Sequence, residues 1–218
     1  MTATTVSFVD TLSLLLLATG FAVAGTRRMS LAIWTLAVQS GLLAAVAAVV
    51  AVGAGAAHMW AVVVLTVAVK AVAIPAVLFR VLRTLEVRRE TNPLVSSRLS
   101  LVAAAGLMVV AFGVAGQNTL PNAIASHEAL PVSIALMLIS LFTMVTRKKA
   151  LMQVIALVSM DNGLYLAGII ATLGLPLFVE IALFFDLLVG VIIMGVFAFR
   201  INQTFETVNT DRLRQLRG

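Results

Sequence analysis

The chain has 218 residues, 61% of them hydrophobic and 11% charged, with a formal net charge of +6. Such a balance excludes an ordinary soluble domain, and the spread of the positive charges over segment ends argues against a nucleic-acid partner. There is no cysteine, which removes iron–sulfur ligation, thioether haem attachment and disulfides together.

Seven apolar runs are long enough, or nearly so, to cross a hydrocarbon core of ~30 Å. The first, 6–25, is followed by Arg27 and Arg28. Its end, "FAVAG", has the Ala-x-Ala spacing of a signal-peptidase site, but the only early charge is Asp10 and the arginines come after, so the run is expected to be retained. The second, 29–53, contains Gln39, and the third, 58–82, contains Lys70 with Pro75 five residues on. Arg80, Arg83, Arg88, Arg89 and Arg98 precede the fourth, 99–116. The fifth and shortest, 130–145, leads into Arg147, Lys148 and Lys149. The sixth, 149–171, holds Asp161, Asn162 and Gly163, and the seventh, 177–199, holds Asp186, with Glu180 nearer its outer end. Arg200, Arg212, Arg214 and Arg217 close the chain.

Runs of this length are not the ~10-residue alternating strands of a membrane barrel, so the expected fold is an all-α bundle of seven transmembrane helices. Every alternate loop is basic and the others contain no Lys or Arg. Basic loops stay on the cytoplasmic side, which places the N-terminus outside and the C-terminus inside. His58 and His127 then fall at the outer surface, too far from the core to clamp a haem between them.

The chain repeats itself. "TRRMSLAIW" from Thr26 matches "TRKKALMQV" from Thr146, 120 residues later, and "LFRVLRTLEV" from Leu78 matches "AFRINQTFETV" from Ala198 at the same offset. "VQSGLL" from Val38 matches "MDNGLY" from Met160 at an offset of 122. The expected organisation is a three-helix repeat over 1–90, a linker with the fourth helix over 91–128, and a second three-helix repeat with a basic tail over 129–218. Because the linker crosses the membrane once, the two repeats are parallel.

At ~1.5 Å per residue, Asp161 lies ~18 Å above the cytoplasmic start of its helix and Asp186 ~14 Å below the outer start of its own. Lys70 and Gln39 fall near the same midplane level. An acid or lysine facing lipid there costs roughly 2.5 to 3.5 kcal/mol, so these groups are expected to face one another, a wet cavity or a partner subunit. Burial disfavours the charged form of both an acid and a base, the property a proton relay requires. Lys70, Asp161, Asp186 and Glu180 are the candidates for that role, with Gln39 and Asn162 as polar support. Pro75 is expected to kink its helix beside Lys70, and Gly163 to loosen the helix beside Asp161. The structural alternative is that the set only fixes helix packing. No catalytic residue, cofactor site or metal site is recognisable.

With "VKAVAIPAVLF", "MDNGLYLAGI" and "FVEIALFFDLLVGVIIMGVFAFRI", the chain resembles the hydrogenase-4 component E group of membrane subunits nearly throughout. Its second repeat is similar to the three-helix K subunit of respiratory complex I and of the multi-subunit cation/proton antiporters. That unit has a basic loop, here "TRKK", and then a midmembrane glutamate in each of the next two helices. Asp186 matches the second acid; Val158 stands at the place of the first, and Asp161 lies three residues on. In the first repeat Gln39 stands near the Asp161 position, and Thr66 lies 120 residues before Asp186.

The resemblance implies a subunit of a complex-I-like respiratory assembly of the group 4 NiFe hydrogenase or formate hydrogenlyase type, in a bacterial or archaeal cytoplasmic membrane. It implies antiporter-like membrane partners and a cytoplasmic redox arm, met through the basic loops, that holds the NiFe and iron–sulfur centres. This chain would itself be non-catalytic and contribute to proton or sodium translocation. The alternatives are a purely structural anchor of such a complex, a subunit of a cation/proton antiporter, and a self-sufficient secondary transporter.

Overall fold

The computed structural model describes residues 3–54, 59–84, 94–115 and 128–172, all within one unit, Met1–Glu180. The apolar runs become helices: α1 (Ala3–Gly25), α2 (Met29–Ala54), α3 (Met59–Leu65), a π-helical segment (Thr66–Ala73), α4 (Ile74–Thr84), α5 (Ser97–Ala115), α6 (Ala129–Thr146) and α7 (Ala150–Thr172). With α3, the π segment and α4 counted as one span, six helices among the described residues are long and apolar enough to cross a membrane. They match the first six runs. The seventh run, with Glu180 and Asp186, lies outside the described residues, as do His58, His127, Arg88, Arg89 and the basic tail.

Four helices close a ring: α1 packs on α2, α2 on α7, α7 on α6 and α6 on α1. Inside it sit Leu16, Ile33, Leu36, Leu43, Leu136 and Ile139, each fully buried. Outside the ring, α5 lies against α1 and α6, and the third span lies along α2. The outward faces carry bare apolar side chains such as Trp34, Val64, Val102 and Val109, as expected of helices in contact with lipid or other membrane chains.

Close approach replaces hydrophobic bulk at two crossings. A Cβ on Gly20 would stand 2.6 Å from Leu136 Cδ1, and a Cβ on Gly163 would stand 3.1 Å from the Ser133 carbonyl oxygen and 3.2 Å from the Met137 nitrogen. The helix α7 runs unbroken through Asn162–Gly163, so the glycine here serves to bring α7 against the backbone of α6.

The basic end of the bundle is tied by side chains. Arg27 Nε donates to Ser97 Oγ at 2.9 Å, joining the α1–α2 connection to the start of α5. Arg147 was expected among the loop charges, yet only 2% of it is exposed: its guanidinium donates to the Ala24 carbonyl at the end of α1, and its own carbonyl accepts from Gln153 Nε2 at 2.8 Å. The last carbonyls of a helix have no intrahelical donor and sit at the negative end of its dipole, so a cation buried there satisfies both. At the opposite end, Asp10 Oδ1 accepts the Glu128 backbone N–H at 3.4 Å, placing a carboxylate at the N-terminus of α6.

Candidate functional site

The third span changes its winding where its charge sits. Ile74 N–H donates to the Val69 carbonyl, five residues back, instead of to Lys70. The next donor that could reach the Lys70 carbonyl in the five-residue register belongs to Pro75, which has no N–H. The proline thus directly follows a wide turn, a winding that is itself one of the recognised causes of a helix kink.

From that turn the Lys70 side chain reaches α7. Its Nζ lies 2.5 Å from Asp161 Oδ2, in a charge-assisted hydrogen bond between groups 7% and 18% exposed. The lysine is thus nearly sealed, and the aspartate side chain is the more exposed of the two. Lys70 Nζ also stands 4.7 Å from the centre of the Tyr165 ring, within cation–π range. Tyr165 is buried one turn beyond Asp161, and its hydroxyl accepts from Thr66 Oγ1 at 3.3 Å. Two rungs therefore cross between the third span and α7: Thr66 to Tyr165 and Lys70 to Asp161.

Next to Asp161, Asn162 points another way because successive helical residues diverge by about 100°. Its Nδ2 donates to Gln39 Oε1 and to Ser40 Oγ, both at 3.2 Å and both fully buried on α2. Among the described residues, Gln39 Nε2, Asn162 Oδ1 and Ser13 Oγ are buried without a hydrogen-bond partner. A third polar contact, Ser140 Oγ to Ser159 Oγ at 2.8 Å, joins α6 to α7.

The structure thus brings Lys70 to Asp161 and Gln39 to Asn162. Tyr165, Thr66 and Ser40 complete the site but did not stand out as site residues in the sequence, because an aromatic or hydroxyl residue in an apolar run is unremarkable alone. Spacing was the available signal: Thr66 lies four residues before Lys70 and Tyr165 four after Asp161, each one turn from its charged neighbour. Among the described residues, no group of three or more His, Cys, Asp or Glu could hold a metal ion.

Over 130 residues the chain is 35% identical to an uncharacterized protein of Mycobacterium tuberculosis, covering 60% of this chain and 59% of that one. Over 120 residues it is 30% identical to the hydrogenase-4 component E of Escherichia coli, covering 55% of each. The same values hold for the hydrogenase-4 component E of Shigella flexneri. The chain therefore spans less than two thirds of the length of these relatives. No family model matches it, and no solved structure does. It is distantly similar to the hydrogenase-4 component E group that its motifs resemble.

Proposed function

We propose that the chain is a multi-pass membrane subunit of a complex-I-like respiratory assembly, of the group 4 NiFe hydrogenase or formate hydrogenlyase type, in a bacterial or archaeal cytoplasmic membrane. In this reading it contributes charged groups to proton or sodium translocation, while the redox chemistry and its NiFe and iron–sulfur centres belong to partner subunits. The similarity to hydrogenase-4 component E supports the assembly. The Lys70–Asp161 pair supports the role in ion movement: two ionisable groups from different spans meet at mid-helix, and the aspartate side chain is not fully buried. A pair of this kind changes its mutual attraction by the full Coulomb term when one member takes up or loses a proton. Asp186 and Glu180 extend the proposed path on the seventh span.

The proposed seven-span topology, N-terminus outside, with parallel repeats over 1–90 and 129–218 about a linker at 91–128, is supported by two features. Both hairpins, α1–α2 and α6–α7, are joined by three residues, 26–28 and 147–149. Ser40 and Asn162, equivalent at the 122-residue offset, touch each other where α2 meets α7.

The intact complex, purified with Asp161→Asn or Lys70→Met in this chain and placed in vesicles, tests the ion-moving role. Ions moved per electron should fall while electron transfer continues; an unchanged ratio in both variants would overturn it. The closed Lys70–Asp161 contact also suits a purely structural anchor, which predicts loss of assembly with normal coupling in whatever assembles.

A further inference from the structure

Tyr165 is the one tyrosine in the chain. It is 4% exposed, and it presents a ring face to Lys70 Nζ at 4.7 Å while Thr66 holds its hydroxyl at 3.3 Å. We propose that Tyr165 is a positioning residue for Lys70, holding the ammonium beside Asp161 through the protonation cycle of that carboxylate. The inference rests on the reading that the pair takes part in ion movement.

Protonation of Asp161 neutralises the carboxylate, and the Coulomb attraction that holds Lys70 disappears with it. An unheld lysine, on a flexible four-carbon stem, would leave for water or another acceptor. The negative face of an aromatic ring is a fixed quadrupole that no proton on Asp161 alters, and in a desolvated site its attraction for an ammonium is strong. Lys70 therefore remains over the ring and meets Asp161 again when the proton departs from the same oxygen; no bond to Tyr165 forms or breaks. The Thr66 hydroxyl adds a long, neutral hydrogen bond at the far edge of the ring, secondary to the burial that holds the ring in place. It comes from the same span as Lys70, so ring and ammonium are referenced to one piece of backbone.

The test uses the intact complex in vesicles. Tyr165→Phe keeps the ring and should hold ions moved per electron within about twofold of wild type, whereas Tyr165→Leu, which removes the ring face, should lower the ratio toward that of Lys70→Met. In a Lys70→Met background, Tyr165→Leu should cause no further loss, since there is no ammonium left to position. Should Tyr165→Leu fail to assemble, Tyr165→Met takes its place. A second readout is spectroscopic: in the full-length chain the resonance Raman bands of the single tyrosine should shift when Lys70→Met removes the cation. Bands unmoved by Lys70→Met, or wild-type coupling in Tyr165→Leu alongside a defect in Asp161→Asn, overturn the positioning role alone. Wild-type coupling in Asp161→Asn overturns the ion-movement reading and this role together.

Discussion

Lys70 and Asp161, 91 residues apart in the chain, meet at 2.5 Å across the gap between the third span and α7. Each is the other's ion-pair partner, and both side chains are largely withdrawn from the surface. Lys70→Met or Asp161→Leu singly should destabilise the full-length chain by about 3 kcal/mol, because each leaves an uncompensated buried charge. The double substitution should recover most of that loss. Reversible unfolding of the three variants in detergent gives the coupling, and simple additivity would rule out the pair as an energetic unit.

Two glycines at equivalent positions of the proposed repeats should respond with opposite signs. Gly163→Ala drives a methyl group to 3.1 Å and 3.2 Å from backbone atoms of α6, which cannot swing aside, and should cost about 1 to 3 kcal/mol. Gly41→Ala meets nothing within 4 Å and should be neutral or stabilising by up to ~1 kcal/mol through helix propensity. Thermal unfolding of the two variants side by side checks the contrast.

These contrasts show where sequence reading ends. The first six apolar runs mark their helices to within about three residues, because a bilayer-spanning helix announces its ends by polar residues. Counting residues placed Lys70, Gln39, Asp161 and Asn162 at one depth, but depth is only one coordinate. The direction in which each side chain leaves its helix depends on rotation about the helix axis, and continuously apolar segments carry little moment to reveal it. Hence the pairing of Lys70 with Asp161 and of Gln39 with Asn162 had to come from the structure. Arg147 illustrates the same limit at the basic end, where three adjacent cations looked alike and one turned inward. Asp186 and Glu180 lie outside the described residues and stand on sequence alone.

Arg147 should prove unlike its neighbours. Arg147→Met removes the donor that satisfies the Ala24 carbonyl and should cost about 2 to 3 kcal/mol, while Lys148→Ala, at an exposed position, should change stability by under ~0.5 kcal/mol. Unfolding in detergent again measures both; equal effects would mean that Arg147 contributes only its charge.

The Asn162 bonds should be modest. Hydrogen bonds between membrane helices average ~0.6 kcal/mol, so Asn162→Ala, losing two, should cost about 1 kcal/mol, and Ser40→Ala about half of that. A loss of several kcal/mol in Asn162→Ala would mean that more than these two contacts depends on it.

The absence of native cysteine makes the orientation directly measurable. Introduced at Lys148→Cys, a thiol should react with a membrane-impermeant reagent from the cytoplasmic side only; at Thr4→Cys, ahead of the first apolar run, from the outside only. The reverse pattern would invert the proposed topology.

The contact between Ser40 and Asn162 has a historical side. Under the proposed repeat these are the same position met twice, on the seam where one copy faces the other. In a dimer of identical three-helix chains such a position confronts itself, and any change is forced on both sides at once. Joining two copies in one gene lifts that constraint. One side can then carry serine and the other asparagine, and one turn face can keep the neutral Gln39 while its counterpart becomes Asp161. A single acid with a single basic partner is a state that perfect symmetry forbids, and fusion makes it available.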